Sequence, residues 1–250
     1  MSLAVIGGTG IDGVGDAPGE RRPAPATPWG EPSGPLVATA VAGRPVLFLQ
    51  RHGEARSVPP HRVNYRANLW ALRDAGARRI VAINAVGGIS ATMGAGKLVV
   101  PDQLIDYTWG REHSYDLGGD VPLQHVEFTE PYDRSLRAAL LAAARAAAVP
   151  CVDGGVYGVT QGPRLESAAE IRRLARDGCD LVGMTAMPEA ALARELALPY
   201  ASLCLVVNAA AGLDDKPLTL DAMRAQLARG AGAAGAVIRA LLLAVPASGA

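Results

Sequence analysis

A glycine-rich loop near the N-terminus is the first feature that could do chemistry. Gly8-Thr9-Gly10-Ile11-Asp12-Gly13 follows the apolar run Leu3–Ile6 and matches the pattern GxGxxG. In dinucleotide-binding proteins this pattern opens a helix, and an acidic residue follows about 20 positions on. Residues 14–20 contain two glycines and a proline, and more prolines follow, which is incompatible with that helix. The loop instead offers backbone N–H groups and the Thr9 hydroxyl to one anion, or it is only a tight turn.

Groups that bind anions stand at three other predicted strand ends. Arg51 is of the type that binds phosphate in a bidentate manner, and His52 beside it can donate to the same anion. Asn84 to Gly88 ends another strand in small residues, and Thr185 follows a further strand. Each of these features alone has an ordinary structural explanation. Because ligands of α/β proteins bind where strands end, the four together predict one shared site.

Composition argues against several classes of function. Lys+Arg and Asp+Glu both total 24, and aromatic residues make up 4%. Such a chain offers no basic surface for nucleic acid or membrane, and little for base stacking. Cys151, Cys179 and Cys204 lie far apart in apolar stretches, so we expect buried thiols in a reducing compartment. With no signal-peptide pattern and no apolar run near the roughly 20 residues of a membrane span, we expect a cytoplasmic protein.

Apolar runs alternate with helix signals along the chain. Strands are predicted at Leu3–Ile6, Val46–Leu49, Arg79–Val86, Leu98–Val100, Val152–Thr160, Leu181–Met184 and Tyr200–Val207. Helices are predicted at Asn64–Ala75, Asp133–Ala148, Ser167–Asp177, from Pro188 onward and at Thr219–Ala244, whereas residues 13–35 are predicted to be loop or edge structure. The strands are apolar throughout, which indicates a mixed, mostly parallel sheet covered by helices on both faces. We expect residues 1–250 to form one α/β domain.

Five motifs of the chain resemble those of the purine nucleoside phosphorylase superfamily. The matching motifs are Gly7-Gly8-Thr9-Gly10, Arg51-His52-Gly53, VNYRANLWAL at 63–72, Gly162-Pro163-Arg164 and MTAMPE at 184–189. The second and third are similar to those of its methylthioadenosine phosphorylase branch. The resemblance covers about residues 3–244. It implies a trimeric α/β phosphorylase that cleaves the N-glycosidic bond of a purine nucleoside with inorganic phosphate, and without a metal or other cofactor.

The resemblance also assigns roles to single residues. Phosphate would be held by Thr9, Arg51, His52, Asn84, Ala85 and Thr185. The Met184 backbone would hold the ribose hydroxyls, and His125 would close over the 5′ group in a neighbouring subunit. The family usually has Thr at position 84 and His at position 56, where this chain has Asn84 and Arg56. The contact expected at that strand end is therefore backbone donation from Ala85.

The residues that would meet the base depart from the adenine-selective branch. That branch is expected to carry aspartates after the last strand, where this chain has Asn208-Ala209-Ala210. Glu166, after Leu165, replaces a small hydroxyl residue. Glu166 and Asn208 together resemble the base-binding residues of 6-oxopurine phosphorylases: a carboxylate accepts from N1–H, and an amide donates to O6 or N7. Alternatively, Glu166 is a first-turn helix acid and Asn208 only ends its strand.

These features together imply phosphorolysis of S-methyl-5′-thioinosine to hypoxanthine and 5-methylthioribose 1-phosphate, with Asn208 and His52 taking part in catalysis. Leu220 matches a position that lines the 5′ pocket in the family, and its apolar side chain favours a methylthio tail. Alternatives within the class are an S-methyl-5′-thioadenosine phosphorylase with a rebuilt pocket and a 6-oxopurine (inosine/guanosine) nucleoside phosphorylase. A hydrolytic nucleosidase would not need the phosphate residues, and a dinucleotide-dependent oxidoreductase would need the missing helix. A non-catalytic purine-binding module also stays open.

Overall fold

A computed structural model describes residues 2–118, 123–214 and 220–244, and the side chains of residues 220–224 lie outside that description. Within it, the strands are β1 (Ser2–Gly7), β2 (Glu20–Arg22), β3 (Leu36–Val41), β4 (Arg44–Gln50), β5 (Ala77–Gly88), β6 (Leu98–Val100), β7 (Gln103–Asp106), β8 (Cys151–Asp153), β9 (Val156–Val159), β10 (Leu181–Gly183) and β11 (Tyr200–Ala209). The helices are α1 (Tyr65–Asp74), α2 (Arg134–Ala146), α3 (Ala168–Arg176), α4 (Ala186–Glu195) and α5 (Leu220–Ala244).

The strands form one mixed sheet. Its order is β2-β3-β4-β1-β5-β10-β9-β7, and β11, β6 and β8 continue from the other edge of β5. The pairs β1–β4, β1–β5, β5–β11, β6–β8, β7–β9 and β9–β10 are parallel. The pairs β2–β3, β3–β4, β5–β10 and β6–β11 are antiparallel. The predicted fold class, an α/β protein with a mixed and mostly parallel sheet, is therefore confirmed.

Strand β5 organises the sheet because three strands share its two edges. On one edge β1 pairs with β5 as far as Ile83, and β10 then pairs with Gly87 and Gly88. On the other edge β11 follows β5 from Ile80 to Gly88. The sheet therefore splits beyond the end of β1, and crevices of this kind are where α/β folds bind ligands.

Helices cover both faces of the sheet. Helices α1 and α4 pack together on one face, with Leu69 and Leu192 fully buried. Helices α2 and α5 pack together on the other face, with Leu140 and Ile238 fully buried. Burying the apolar stripe of each helix against the sheet supplies most of the driving force for this arrangement.

Side-chain caps begin the helices α1, α2 and α3. The Asn64 side chain accepts from the Ala67 N–H at 3.1 Å, and Asp133 accepts from Leu136 N–H at 2.7 Å. Ser167 and Glu170 form a complete capping box at the start of α3. Such caps satisfy N–H groups that the first helical turn leaves without a partner.

Several strands and one helix differ from the sequence-based prediction. Strands β3 and β7 were not predicted, because β3 is only partly buried and β7 is short with polar ends. The single strand predicted at Val152–Thr160 is two strands, since Gly154 and Gly155 adopt positive φ angles of 89° and 113° and turn the chain between them. Helix α4 begins at Ala186 rather than Pro188, but Met187 interrupts it with extended φ and ψ angles, as expected before a proline.

The expectation that no segment is long and apolar enough to span a membrane is wrong for helix α5. Ala225–Ala244 meets that criterion by length and composition. Helices that pack in the core of a folded domain also meet it. Val237, Ile238 and Leu241 on one face of α5 are buried, and the helix contacts α2 and β11.

Candidate active site

A cavity of about 430 Å³ opens where the sheet splits. Eight of the predicted site residues line it: Thr9, His52, Ala85, Leu165, Glu166, Met184, Asn208 and Ala210. Four others, Arg51, Asn84, Thr185 and Ala209, are not among its lining residues. The cavity therefore brings together groups from the ends of β1, β4, β5, β10 and β11, as the shared-site prediction requires.

The glycine loop forms one border of the cavity. Gly8 donates its N–H to the Ile83 carbonyl at 3.0 Å, and Ile11 N–H returns to the Gly8 carbonyl at 3.2 Å. A Cβ at Gly7 would lie 2.5 Å from the Phe48 ring, so only glycine fits there. Gly10 has a φ of 79°. The next regular element is β2 rather than a helix, so the dinucleotide fingerprint is incomplete.

Arg51 lies beneath this loop in a buried ion pair. Its Nε and Nη2 atoms donate to Glu189 at 2.8 and 3.0 Å, and Tyr200 Oη donates to the same carboxylate at 2.8 Å. Burial alone would lower the pKa of Arg51, but the Glu189 carboxylate outweighs it and the pKa lies above its ordinary value. The remaining nitrogen, Nη1, faces the glycine loop, since a Cβ at Gly8 would lie 2.9 Å from it.

Asn84 and Thr185 hydrogen-bond to each other. Thr185 Oγ1 donates to Asn84 Oδ1 at 3.2 Å, and Asn84 Nδ2 donates to Ser202 Oγ at 3.1 Å. All three residues are buried. This network holds β5 at Asn84, and the next residue of the strand, Ala85, lines the cavity. A role of the Asn84 and Thr185 side chains in phosphate binding stays a prediction.

The ring of His52 has a defined orientation. Its Nδ1 atom lies 2.9 Å from the Val58 carbonyl oxygen, and because a carbonyl only accepts, Nδ1 carries the proton. Burial and the neighbouring Arg51 guanidinium lower the pKa of His52, which favours the neutral ring. In that form Nε2 is a hydrogen-bond acceptor, so the predicted donation from His52 to an anion requires the charged ring.

Both predicted base-binding residues, Asn208 and Glu166, line the cavity. A β-bulge shifts the register of β11 between Val206 and Asn208, so that Asn208 pairs with Gly87. Its Nδ2 atom donates to the Ala209 carbonyl at 2.6 Å. Glu166 Oε1 accepts from Thr160 Oγ1 at 2.5 Å. Bulges of this kind re-aim side chains beside active sites.

Position 210 lacks the carboxylate expected in the adenine-selective branch. Ala210 is buried and lines the cavity, and its N–H donates to the Gly88 carbonyl at 2.7 Å. At this position the cavity wall therefore presents a methyl group in place of a carboxylate.

The residues predicted to contact the 5′ group are Leu220 and His125. The Leu220 side chain falls outside the described residues. Leu227, two helical turns further along α5, is 6% exposed and lines the cavity, which makes it an apolar wall. His125 is exposed and is not a lining residue. Its predicted action in a neighbouring subunit stays a prediction.

Comparison with known sequences assigns the chain to a family. The sequence model of the phosphorylase superfamily matches residues 2–243. The chain belongs to the phosphorylase superfamily. It is 53% identical to a protein of Xanthomonas campestris pv. campestris named probable S-methyl-5′-thioinosine phosphorylase, over 86% of each chain. It is 50% identical to a protein of the same name from Pseudomonas syringae pv. tomato, over 96% of this chain and 97% of that one.

Two further relatives of this superfamily member carry other names. It is 44% identical to the 6-oxopurine nucleoside phosphorylase of Pyrococcus furiosus, over 87% of this chain and 83% of that one. Among solved structures it resembles methylthioadenosine phosphorylase from Schistosoma mansoni in complex with adenine. The TM-score is 0.90 and the identity 30%, over 97% of this chain and 91% of that one.

Arg111, which was not among the predicted site residues, ties two segments of the site together. Arg111 is buried and donates from Nη1 to the carbonyls of Met184 and Met187 at 2.9 and 2.6 Å. Its Nη2 atom donates to the carbonyls of Gln161 and Thr160 at 2.8 and 3.2 Å. It therefore ties the segment before Glu166 to the segment around Met184. No local pattern around Arg111 indicates this role, because all four acceptors are backbone atoms far away in the sequence.

Glu189 was also missed as a site residue. It belongs to the MTAMPE motif, but its partner Arg51 lies 138 residues earlier in the chain. The proline before it and its helical setting favour a surface acid in a first turn, whereas the side chain is fully buried. A buried carboxylate needs a cation, and that requirement is the signal that could have paired the two residues.

Proposed function

We propose that the chain catalyses phosphorolysis of S-methyl-5′-thioinosine, giving hypoxanthine and 5-methylthioribose 1-phosphate. The observation that carries this proposal is that Asn208 and Glu166 line the same cavity as Thr9, His52 and Ala85. The two relatives named probable S-methyl-5′-thioinosine phosphorylase, at 53% and 50% identity, support it.

Glu166, Asn208 and Ala210 suit a 6-oxopurine base. Hypoxanthine presents an N1–H donor, which the Glu166 carboxylate accepts, whereas N1 of adenine is an acceptor and is repelled by that carboxylate. The Asn208 amide donates to O6 or N7, where negative charge develops as the glycosidic bond breaks. Ala210 adds no acidic acceptor for a 6-amino group.

The other subsites suit phosphate and a thioether. The backbone N–H groups of the glycine loop and of Ala85, with the Thr9 hydroxyl, supply donors to an anion. Arg51 adds a permanent positive charge beneath the loop. Leu227 offers an apolar wall to the methylthio group, and Met184, whose backbone would hold the ribose hydroxyls, lines the same cavity.

The reaction needs no covalent enzyme nucleophile. Phosphate attacks C1′ as the purine leaves, through a transition state with oxocarbenium character on the ribose. The chain contributes by holding phosphate and nucleoside in line and by stabilising the leaving base. We propose that inorganic phosphate is a co-substrate and that no resident cofactor or metal takes part.

We also propose that the protein is a cytoplasmic homo-oligomer, most simply a homotrimer. Four large apolar side chains of one segment are exposed: Trp109 (71%), Leu117 (74%), Leu123 (69%) and Val126 (39%). His125 belongs to the same segment. Exposed apolar residues concentrated in one region are typical of an interaction surface, and contact there would bring His125 towards a neighbour.

The experiment that tests the proposal is release of free base from S-methyl-5′-thioinosine, S-methyl-5′-thioadenosine and inosine, each with and without inorganic phosphate. We expect the fastest release from S-methyl-5′-thioinosine, and only with phosphate. Release without phosphate would indicate a nucleosidase. Faster release from S-methyl-5′-thioadenosine or from inosine would transfer the assignment to one of the alternatives that the other two relatives represent.

A further inference from the structure

The cavity is poor in positive charge for a site that binds a phosphate dianion. Arg51 is buried beneath the glycine loop with two guanidinium nitrogens on Glu189. Among the described residues that line the cavity, Arg56 is the only lysine or arginine. A dianion leaving water needs charged donors to replace its hydration, so Arg56 requires an explanation.

Arg56 stands at the tip of a closed loop, residues 52–58. Val58 N–H donates to the His52 carbonyl at 3.0 Å, and His52 Nδ1 donates back to the Val58 carbonyl, which closes the base of the loop. Arg56 itself has a φ of 53° and donates its N–H to Gly53 at 2.9 Å. The Arg56 guanidinium forms an ion pair with Asp12, three residues after Thr9. This ion pair therefore joins the loop that carries Thr9 to the loop that carries His52, and both residues line the cavity.

Stability does not account for this arrangement. The side chains of Arg56 and Asp12 are 50% and 64% exposed, and exposed ion pairs shift an equilibrium by at most about fivefold. The positive φ of Arg56 is shared with Ala42, Ala148 and Ala197, none of which lines the cavity, so it does not explain the position of the side chain. A charged side chain that is held only by a weak surface contact at the edge of a cavity points instead to a binding role.

We propose that Arg56 is a further phosphate-binding residue, which Asp12 holds in the free protein and which transfers to phosphate when phosphate binds. The guanidinium fork matches carboxylate and phosphate oxygens in the same way, so the exchange replaces one oxyanion partner with another. Asp12 acts only as a competitor that keeps Arg56 beside the cavity. This inference rests on the proposed function, because it requires inorganic phosphate as the co-substrate.

The test is a double-mutant cycle on the KM for inorganic phosphate, with phosphate affinity from calorimetry as a second readout. We expect Arg56→Ala to raise the KM for phosphate about ten- to a hundredfold, as for loss of a charge-assisted hydrogen bond, with a much smaller change in kcat. Asp12→Asn should lower that KM about two- to fivefold, because it removes the competitor. In the Arg56→Ala background, Asp12→Asn should have no further effect.

A matched control is an ion pair between Glu54 of the same loop and Arg21 of β2. Arg21 and Glu54 form an exposed ion pair at 2.8 Å, and neither lines the cavity. Arg21→Ala and Glu54→Gln should leave the KM for phosphate unchanged. If Asp12→Asn lowers the KM equally with and without Arg56, a general field effect is responsible and the inference is overturned.

The remaining outcomes separate this inference from the proposed function. If the wild-type protein releases base only with phosphate but Arg56→Ala leaves the KM for phosphate unchanged, the inference falls and the proposed function stands. If the wild-type protein releases base at the same rate without phosphate, both fall. Circular dichroism of each variant confirms that the exposed substitutions leave the fold intact.

Discussion

At the scale of single residues, the proposed phosphate site rests on a buried pair of opposite charges. Arg51 and Glu189 satisfy each other, and Tyr200 adds a third hydrogen bond to the carboxylate. The pair sets the direction of the one guanidinium nitrogen that faces the glycine loop. Arg51 is therefore both part of the fold and a candidate phosphate ligand.

Removing the Arg51 guanidinium should cost stability as well as activity. Arg51→Ala leaves the Glu189 carboxylate buried without its cation, which we expect to lower the free energy of unfolding by about 3–5 kcal/mol and to raise the KM for phosphate. Denaturant unfolding and phosphate kinetics measure the two effects. The variant Arg51→Ala/Glu189→Gln should regain part of the stability but not the phosphate affinity. Stability equal to that of the wild type in the single variant would contradict the pairing.

The pH dependence of stability should reflect His52. Its pKa is lowered in the folded protein, so below its ordinary value of about 6.5 the unfolded chain binds the proton more readily than the folded one. The contribution of His52 to stability is therefore complete above that pH and is lost as the pH falls further. His52→Asn keeps a donor for the Val58 carbonyl without titrating. Unfolding at pH 8 and pH 5 should show a smaller loss in the variant; equal losses would argue against the buried neutral ring.

Residue types at the site were predictable, but the direction of their side chains was not. Glycines mark the ends of β1 and β5, so the positions of Thr9 and Ala85 follow from local sequence. The contacts of Arg51 and Asn84 depend on partners more than 100 residues away in the chain. Sequence spacing holds no information about such contacts, which is why both were expected at the cavity surface and lie outside its lining.

At the scale of elements, two loops that carry predicted substrate-binding residues are held by one side chain. Arg111 links the carbonyls of Thr160 and Gln161, which precede Glu166, to the carbonyl of Met184. Four backbone acceptors around one guanidinium cannot all be satisfied by a lysine, which has three donors on a single atom.

We therefore expect Arg111→Lys to impair nucleoside binding selectively. The KM for nucleoside should rise about tenfold, because small displacements of binding groups weaken the positioning of the substrate. The KM for phosphate should change by less than about twofold, since the glycine loop does not contact Arg111. Bisubstrate kinetics separate the two constants. Equal increases in both would show that Arg111 acts on the fold as a whole and not on the nucleoside loops.

Elements with strong local signals were predictable, and those defined by tertiary pairing were not. The predicted bounds of α1, α2 and α3 agree with the structure to within two residues, because α1 and α3 have caps and following glycines that act within one turn and α2 is rich in alanine. Strand β7 exists because β9 pairs with it, and its own four residues carry no apolar run. The same applies to the branching of the sheet at β5, which depends on where β1 ends relative to β10.

At the scale of the whole molecule, the exposed apolar segment leads to a prediction about assembly. If Trp109 and Leu117 are buried between subunits, the double variant Trp109→Ser/Leu117→Ser should dissociate and lose most of its activity, since His125 then reaches no neighbouring site. Analytical ultracentrifugation and activity at matched concentrations test this. A matched change at exposed Leu243, on α5, should leave both unchanged. A fully active wild-type monomer would refute the assembly proposal.

The central claim concerns the base, and the most direct test is the ratio of kcat/KM for S-methyl-5′-thioinosine to that for S-methyl-5′-thioadenosine at saturating phosphate. We expect this ratio to exceed about a hundredfold in the wild type, because a site that hydrogen-bonds N1–H and O6 of the base rejects an analogue that lacks the matching groups. Asn208→Asp combined with Ala210→Asp should lower it sharply, whereas Asn208→Ala should reduce kcat about a hundred- to a thousandfold, as for loss of a transition-state hydrogen bond. A wild-type ratio below one would contradict the assignment of Glu166 and Asn208.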